Sequence, residues 1–315
     1  MAVTLSVGVE VIGDGLTGIP ARGIADLARR LERAGVAYWV IGAERGEAGE
    51  ELATSLDASL IATIAARHSS TLGLVVAAAG HRDHPYNLAR RLVSVDHAAQ
   101  GRVGWLALDF DHRIALNAAT DTWTGAELDP VHTAHAITAV RTLWRTWPLD
   151  SVVGDLTTGV FADTARIRRA DVHEGYAISG PLNVPGSVQG DLPVWQQVPP
   201  GAPAPGADLV IVEDGDPIPA DSAAVVRLRA AEGIGAALDR IARSGAASGV
   251  VLRLKPSALQ DVLEKILPDA RRLGVVASPG AGTLRDRLGL PVPAHPDLSD
   301  HPVVFDTAPT PGGRL

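Results

Sequence analysis

The 315-residue chain has no cysteine. Disulfides, thiolate metal centres and cysteine nucleophiles are therefore excluded. No apolar run reaches the ~20 residues that a membrane-spanning helix needs. The opening MAVTLSVGVEVIG has no basic segment ahead of its apolar residues, so it does not read as a secretion signal. Together these make the cytoplasm the expected location. Basic charge is in deficit: 28 Lys+Arg stand against 36 Asp+Glu, for a net charge of -8. A nucleic-acid partner needs a basic surface and is not expected. There is no G-x-G-x-x-G after a strand, no Walker motif and no G-x-S-x-G. Lysine is scarce beside Ala, Gly, Arg and Pro, a composition that suggests a bacterial source.

What is present is alternating strand and helix. Leu5, Val7, Val9 and Val11 alternate as a strand does. GDGLTGIP reads as a loop. Ile24, Leu27, Ala28 and Leu31 have helical spacing, ended by Gly35. Ala37 to Gly42 forms strand two. Leu52, Leu56, Leu60 and Ile64 mark a second helix, and Leu72 to Ala78 a third strand. His84-Pro85 then opens a helix with Leu88, Leu92, Val95 and Ala99 on one face and Arg90, Arg91 and Asp96 off it. Gln100-Gly101 stops that helix, and Val103 begins strand four. A further helix is expected near Thr133 to Trp147, with Trp144 and Trp147 as core or interface.

Residues 148 to 192 are rich in Gly, Pro and Asp. They have too few regularly spaced apolar residues for a core of their own, and read as an extended arm on a single domain covering 1–315. Strands follow at Pro193–Val198, Asp208–Glu213, Ala223–Arg229 and Gly249–Leu254, and helices at Ile234–Arg243 and Ala258–Leu273. Eight strands with this alternation predict an α/β fold, a (β/α)8 barrel. Only PPGAPAPGA and DGDPIPADS separate strands five, six and seven. Each is short and broken by proline, whereas a parallel crossover ordinarily takes a dozen or more residues. Either those strands are not all parallel neighbours, or two covering helices are missing. Loss of the helices would uncover Leu209, Ile211, Val225 and Leu228, and an exposed apolar patch of that kind predicts a homodimer, with the arm at 148–192 folded back on its own barrel as the alternative cover.

Barrel enzymes work at the C-terminal ends of their strands. The polar groups placed there are Glu10, Glu44, Arg45, His81, Asp109, Asp111, His112, Gln196, Gln197, Glu213 and Asp214. Of these, Glu44, His81, Asp109 and His112 are the candidates for acid–base catalysis, against the plain alternative that loop residues are polar anyway. The Asp109-x-Asp111-His112 spacing is loose for a metal site, and none is expected. The pairs His81/His84 and His132/His135 read as solvated. Asp96-His97 reads as hydrogen bonds that dock the third helix.

Three stretches carry a resemblance. They are HPYNLARRLVSVDHAAQGRVGW (His84 to Trp105), LWRTW with GPLNVP (Leu143 to Trp147 and Gly180 to Pro185), and GTLRDRLGLPVP (Gly282 to Pro293). In this order they resemble the nitrilotriacetate and dibenzothiophene-sulfone monooxygenase branch of the bacterial luciferase-like flavin enzymes, in a shortened form. The resemblance implies a TIM-type barrel, FMN, a flavin reductase as partner and oxygenation of a small organic substrate. It also implies particular cofactor contacts, and these are changed here. A hydroxyl residue under the flavin ring corresponds to Ala78 or Ala79. An Asn after the strand-four Trp corresponds to Leu106, and an Arg-Tyr pair to Pro130 and Val131. A Ser-Ser-x-x-Gly turn that feeds the phosphate-binding helix corresponds to VPPGAPAPGA. Two readings follow: an FMN-dependent monooxygenase, or a flavin-independent relative that uses the barrel mouth for cofactor-free chemistry or partners an intact paralogue. The substitutions predict weak or absent FMN binding, with Arg45, or another basic residue from the long arm, as the candidate to rescue the phosphate.

Overall fold

The computed structural model describes residues 3–12, 21–47, 56–112, 119–219, 222–229, 233–278, 280–291, 294 and 297–304. Eight parallel strands close a barrel: β1 (Ser6–Val11), β2 (Tyr38–Ile41), β3 (Gly73–Ala78), β4 (Val103–Ala107), β9 (Val194–Gln197), β10 (Leu209–Glu213), β11 (Ala224–Leu228) and β12 (Gly249–Leu254). They follow one another around the barrel in chain order, and β12 closes on β1 with Glu10 opposite Arg253. The expected GDGLTGIP loop and Leu52 lie outside the described residues.

Alternation along each strand splits the core in two. Leu5, Val7, Val9 and Val11 face outward with the helix residues Leu31, Leu92 and Val140. Val40, Val75, Leu106, Trp195, Ile211, Val225 and Val251 face inward. Two glycines make room for the large inward rings. A Cβ on Gly8 would lie 2.2 Å from Tyr38, and one on Gly104 would lie 2.4 Å from Trp195. Those two rings meet at 5.4 Å near the strand starts. There the GTLRDR stretch forms α8 (Leu284–Arg287), and Leu284 joins the inward cluster with Leu288 and Leu290 packed against it. Arg285 is fully buried and locks this plug by donating to Asp208, Asp191 O and Pro291 O. The base of the barrel is thus closed, and the strand C-termini form its mouth.

The outer layer comprises α1 (Ala21–Arg33), α2 (Ala58–Arg67), α3 (Pro85–Ala99), α4 (Pro130–Trp144), α5 (Ile234–Ser244), α6 (Pro256–Asp261) and α7 (Leu267–Arg272), the last two joined through a π turn. Two of the expected faces need correction. On α2 the buried residues are Ala58, Ser59, Ile61, Ala62, Ala65 and Ala66, while Leu56 and Leu60 are exposed. On α3 Asp96 is not off the core face but fully buried. Its Oδ1 accepts from Val103 N at 2.9 Å and from Gln189 Nε2 at 2.9 Å, and its Oδ2 accepts from Ser187 Oγ at 2.6 Å. With His97 Nε2 3.0 Å from Pro185 O, this docks α3 onto β4 as the sequence suggested.

Between β9 and β10, and among the described residues between β10 and β11, there is no helix. The strands are nonetheless parallel neighbours, so covering helices are missing and the order is intact. The strand faces are not left bare. Leu209, Ile211 and Val225 point into the barrel. The outward Val210, Val212, Val226 and Leu228 are covered, with Ala202, Ala204 and Ile218 of the two connections packed on the outer core. The exposed patch expected on β10 and β11 is therefore absent.

Residues 148–192 carry two small hairpins, β5 (Val152–Asp155) with β6 (Val160–Ala162) and β7 (Asp171–Val172) with β8 (Ile178–Ser179). Val172, Tyr176, Ile178 and Leu182 join the outer core. Tyr86 Oη donates to Pro181 O at 3.1 Å, which ties the GPLNVP stretch to α3. Trp144 is buried and donates to Ala89 O at 3.0 Å.

Candidate active site at the barrel mouth

The inward positions nearest the mouth divide by chemistry. On β2 to β4 they are small or apolar: Gly42, Ala77, Ala79, Leu106 and Leu108. On the other half they are charged. Glu10, Glu213, Arg227 and Arg253 each lie two residues beyond an inward Gly8, Ile211, Val225 or Val251, so the strand repeat aims all four into the same layer. Arg227 is 1% and Arg253 8% exposed, and Glu10 is fully buried.

A connected ion network results. Glu10 Oε2 is 3.5 Å from Arg227 Nε, and its Oε1 is 3.4 Å from Arg253 Nη1. Neither Glu10 oxygen accepts a hydrogen bond among the described residues. Arg227 Nη1 donates to Gln197 Oε1 at 2.8 Å and to Glu213 Oε1 at 3.3 Å. Glu47, at the end of the short turn Ala43–Gly46, receives both terminal nitrogens of Arg253, with Nη2 to Oε2 at 2.7 Å. Arg229 bridges Glu213 and Glu47. Burial pushes the Glu10 carboxyl above its usual range despite the two arginines. Burial also acts to raise Glu47 and Glu213. For these two the arginine hydrogen bonds and charges outweigh it, and both are held below the usual carboxylate range.

The four candidate catalytic residues stand on the loops after β2, β3 and β4, and His112 N donates to Arg45 O at 2.7 Å, next to Glu44. Glu44 and Arg45 lie on the turn after β2. Arg45 is buried against Asp111, with Nε at 3.0 Å and Nη2 at 2.9 Å from Oδ2. Its guanidinium is thus engaged by the Asp111 carboxylate. His81 accepts from Asp111 N at 3.0 Å and packs on Phe110, which also contacts the exposed His112. Burial, against the raising charge of Asp111, lowers the His81 pKa. Asp109 turns elsewhere and accepts from Gln196 Nε2 at 3.1 Å; burial raises its pKa. Ala78 faces the helix layer, whereas Ala77, Ala79 and Leu106 face the lumen. Val131 is exposed in the first turn of α4. Among the described residues no three acidic or histidine side chains converge as a metal site.

The His132/His135 pair is not solvated as expected. His132 is buried, with Nε2 2.7 Å from Asp121 Oδ2 and 2.8 Å from the Tyr176 hydroxyl, and that hydroxyl donates to the same Asp121 oxygen at 2.7 Å. Burial acts to raise the Asp121 pKa, but hydrogen bonds from His132, Trp123 N and Tyr176 outweigh it and hold it low. Burial together with the Asp121 carboxylate raises the Tyr176 hydroxyl. This cluster joins the arm, α4 and the loop after β4.

No family model matches the chain. It is 34% identical to the dibenzothiophene-sulfone monooxygenase of Rhodococcus erythropolis over 146 residues, 44% of this chain and 31% of that protein. It is 33% identical to one component of the pristinamycin IIA synthase of Streptomyces pristinaespiralis over 186 residues, 58% of this chain and 57% of the relative. In fold it matches a riboflavin lyase, solved with modified FMN and riboflavin, with a TM-score of 0.71 at 17% identity, over 91% of this chain and 96% of that one. Over these stretches the chain is similar in sequence to luciferase-like monooxygenases, and its barrel shares their fold. Its matches span from under a third to just over half the length of those two sequence relatives. Against the frame of the luciferase-like barrels, the residues that sequence reasoning passed over are Glu47, Arg227 and Arg253. The signal was available: an Arg at an inward step of two otherwise apolar strands, AVVRL and GVVLRL.

Proposed function

We propose that this luciferase-like barrel acts on a small organic molecule at its mouth, and that it holds FMN weakly or not at all. The observation that carries the reading is the filled upper lumen: Glu10, Arg227 and Arg253 are buried there on β1, β11 and β12. The phosphate end fits no better. After β9 the chain runs through Pro199, Pro200, Pro203 and Pro205, which have no N–H to offer, and no helix begins among these described residues. A flavin phosphate ordinarily takes such a helix N-terminus. Nor is Arg45 positioned as a rescue, since it is paired with Asp111. For acid–base work at the rim the reading keeps Glu44, His81, Asp109 and His112.

The second reading, an FMN-dependent monooxygenase served by a flavin reductase, is favoured by the likeness to dibenzothiophene-sulfone monooxygenase. A cytoplasmic homodimer is compatible with either. Its apolar contact would involve the exposed Leu56 and Leu60 rather than β10 and β11. Fluorescence titration of the purified protein with FMN separates the two readings: no saturable quenching is expected, and tight binding would restore the monooxygenase.

A further inference from the structure

Arg227 and Arg253 are both buried, and a buried guanidinium needs an anion close by. Among the described residues, the carboxylate beside them from deep in the lumen is Glu10, which sits 3.4–3.5 Å away without a hydrogen bond. Arg227 Nε also donates none among the described residues. The better-formed contacts come from the rim. Glu213 extends from the end of β10, while Glu47 is carried by the loop after β2. Glu47 sets both carboxylate oxygens on the two terminal nitrogens of Arg253. Its Oε1 is also 3.3 Å from Arg229 and 3.8 Å from Arg227. This is the fork-on-fork geometry by which arginine recognises a planar carboxylate. Glu47 remains 32% exposed, whereas both arginines are buried. Glu213 is similarly exposed, at 30%, but pairs with Arg227 and Arg229, so a carboxylate reaching Arg253 from solvent meets Glu47 first.

We infer that the mouth is a binding site for a small organic carboxylate, held by Arg253 with Arg227 and Arg229, and that Glu47 is the tethered carboxylate which this ligand displaces. The inference rests on the reading above that the mouth is the working site. Displacement preserves the charge balance, because one carboxylate replaces another on the same nitrogens. It also sets the direction of mutational effects. Removing the Glu47 charge takes away the competitor and leaves the arginines short of an anion, so ligand affinity rises. Replacing Arg253 by Lys keeps a charge but loses the planar fork, so affinity falls.

Isothermal titration with succinate tests this on the wild type, Glu47→Gln and Arg253→Lys. Dimethyl succinate serves as the uncharged control and inorganic phosphate as the tetrahedral one. Circular dichroism establishes that each variant is folded, and Glu47→Gln, a polar isostere at the rim, carries the test if Arg253→Lys is not. The expected result is weak succinate binding to the wild type, about tenfold or more tighter binding to Glu47→Gln, and no binding of the diester to either. Arg253→Lys should bind more weakly than the wild type. The inference is overturned if Glu47→Gln binds succinate no better than wild type, if Arg253→Lys binds as well, or if phosphate binds and succinate does not. Parallel titration with FMN keeps the two proposals apart. Tight FMN binding with the succinate pattern intact sinks the flavin reading alone, and silent succinate titrations with no FMN binding sink this one alone.

Discussion

Arg253 and Glu47, 206 residues apart in the chain, close on one another at the barrel mouth through both carboxylate oxygens. The contact joins β12 to the loop after β2 across β1. Arg253→Met would leave Glu47 without its main partner and Glu10 with one arginine. Glu10 is the buried partner, and breaking a buried pair from one side costs at most about 3–5 kcal/mol, so the urea midpoint should fall. An unchanged midpoint would show that the network contributes nothing to stability.

Glu10 gives a pH signature. Burial raises its folded pKa above the ordinary 4.5. Between those two values the folded chain holds more protons than the unfolded chain, so this group's contribution to stability falls as pH rises through the window. Gln at position 10 has no such proton. The stability of Glu10→Gln relative to wild type should therefore improve as pH goes from about 4 to 7. A difference that stays flat with pH would contradict the assignment.

The Tyr176 hydroxyl reaches both Asp121 and His132. Tyr176→Phe removes that hydroxyl from a buried cluster and should cost about 1–3 kcal/mol, with faster proteolysis in the arm at 148–192. Asp121 is held below its ordinary 3.8, so its contribution is present above that value and is lost as pH falls through the lowered one. A Tyr176→Phe variant as stable as wild type at neutral pH would mean that the cluster does not fasten the arm.

Asp96 anchors α3 through Val103 N, Ser187 and Gln189. Asp96→Ala strands these buried donors and should destabilise by roughly 3 kcal/mol, each unsatisfied donor costing about 1–3 kcal/mol. Asp96→Asn keeps an acceptor and should cost less. Equal losses in the two variants, measured by urea unfolding, would argue that packing and not hydrogen bonding sets the cost.

Strand positions were legible because alternation of apolar residues is a local signal, and the missing helices because proline and short spacing are local too. The misreadings share a different cause. On α2 the leucines advertised a core face, but the small Ala58, Ala62 and Ala65 let the helix sit close to the barrel and leave Leu60 outside. The sequence places Asp96 off the apolar face of its helix and His132 in solvent, yet each is buried by partners from the distant segment around residues 176–189. The mouth network was legible only in part: the inward arginines stand out in their apolar strands, but their pairing does not. Glu10, Glu47, Arg227 and Arg253 come from four separate stretches and acquire meaning only when β12 closes on β1.

The central claim is that this mouth carries an arginine–carboxylate network where a flavin site would stand. Loss of about three charge-assisted hydrogen bonds to a phosphate, at roughly 1.5–3 kcal/mol each, lowers affinity by on the order of a thousandfold or more. Anaerobic calorimetry with oxidised and then reduced FMN measures this directly. The account predicts no saturable binding of either form up to about 0.1 mM, the level to which a thousandfold loss would move a sub-micromolar site. Micromolar or tighter binding of either form would contradict it and return the chain to the FMN-dependent monooxygenases.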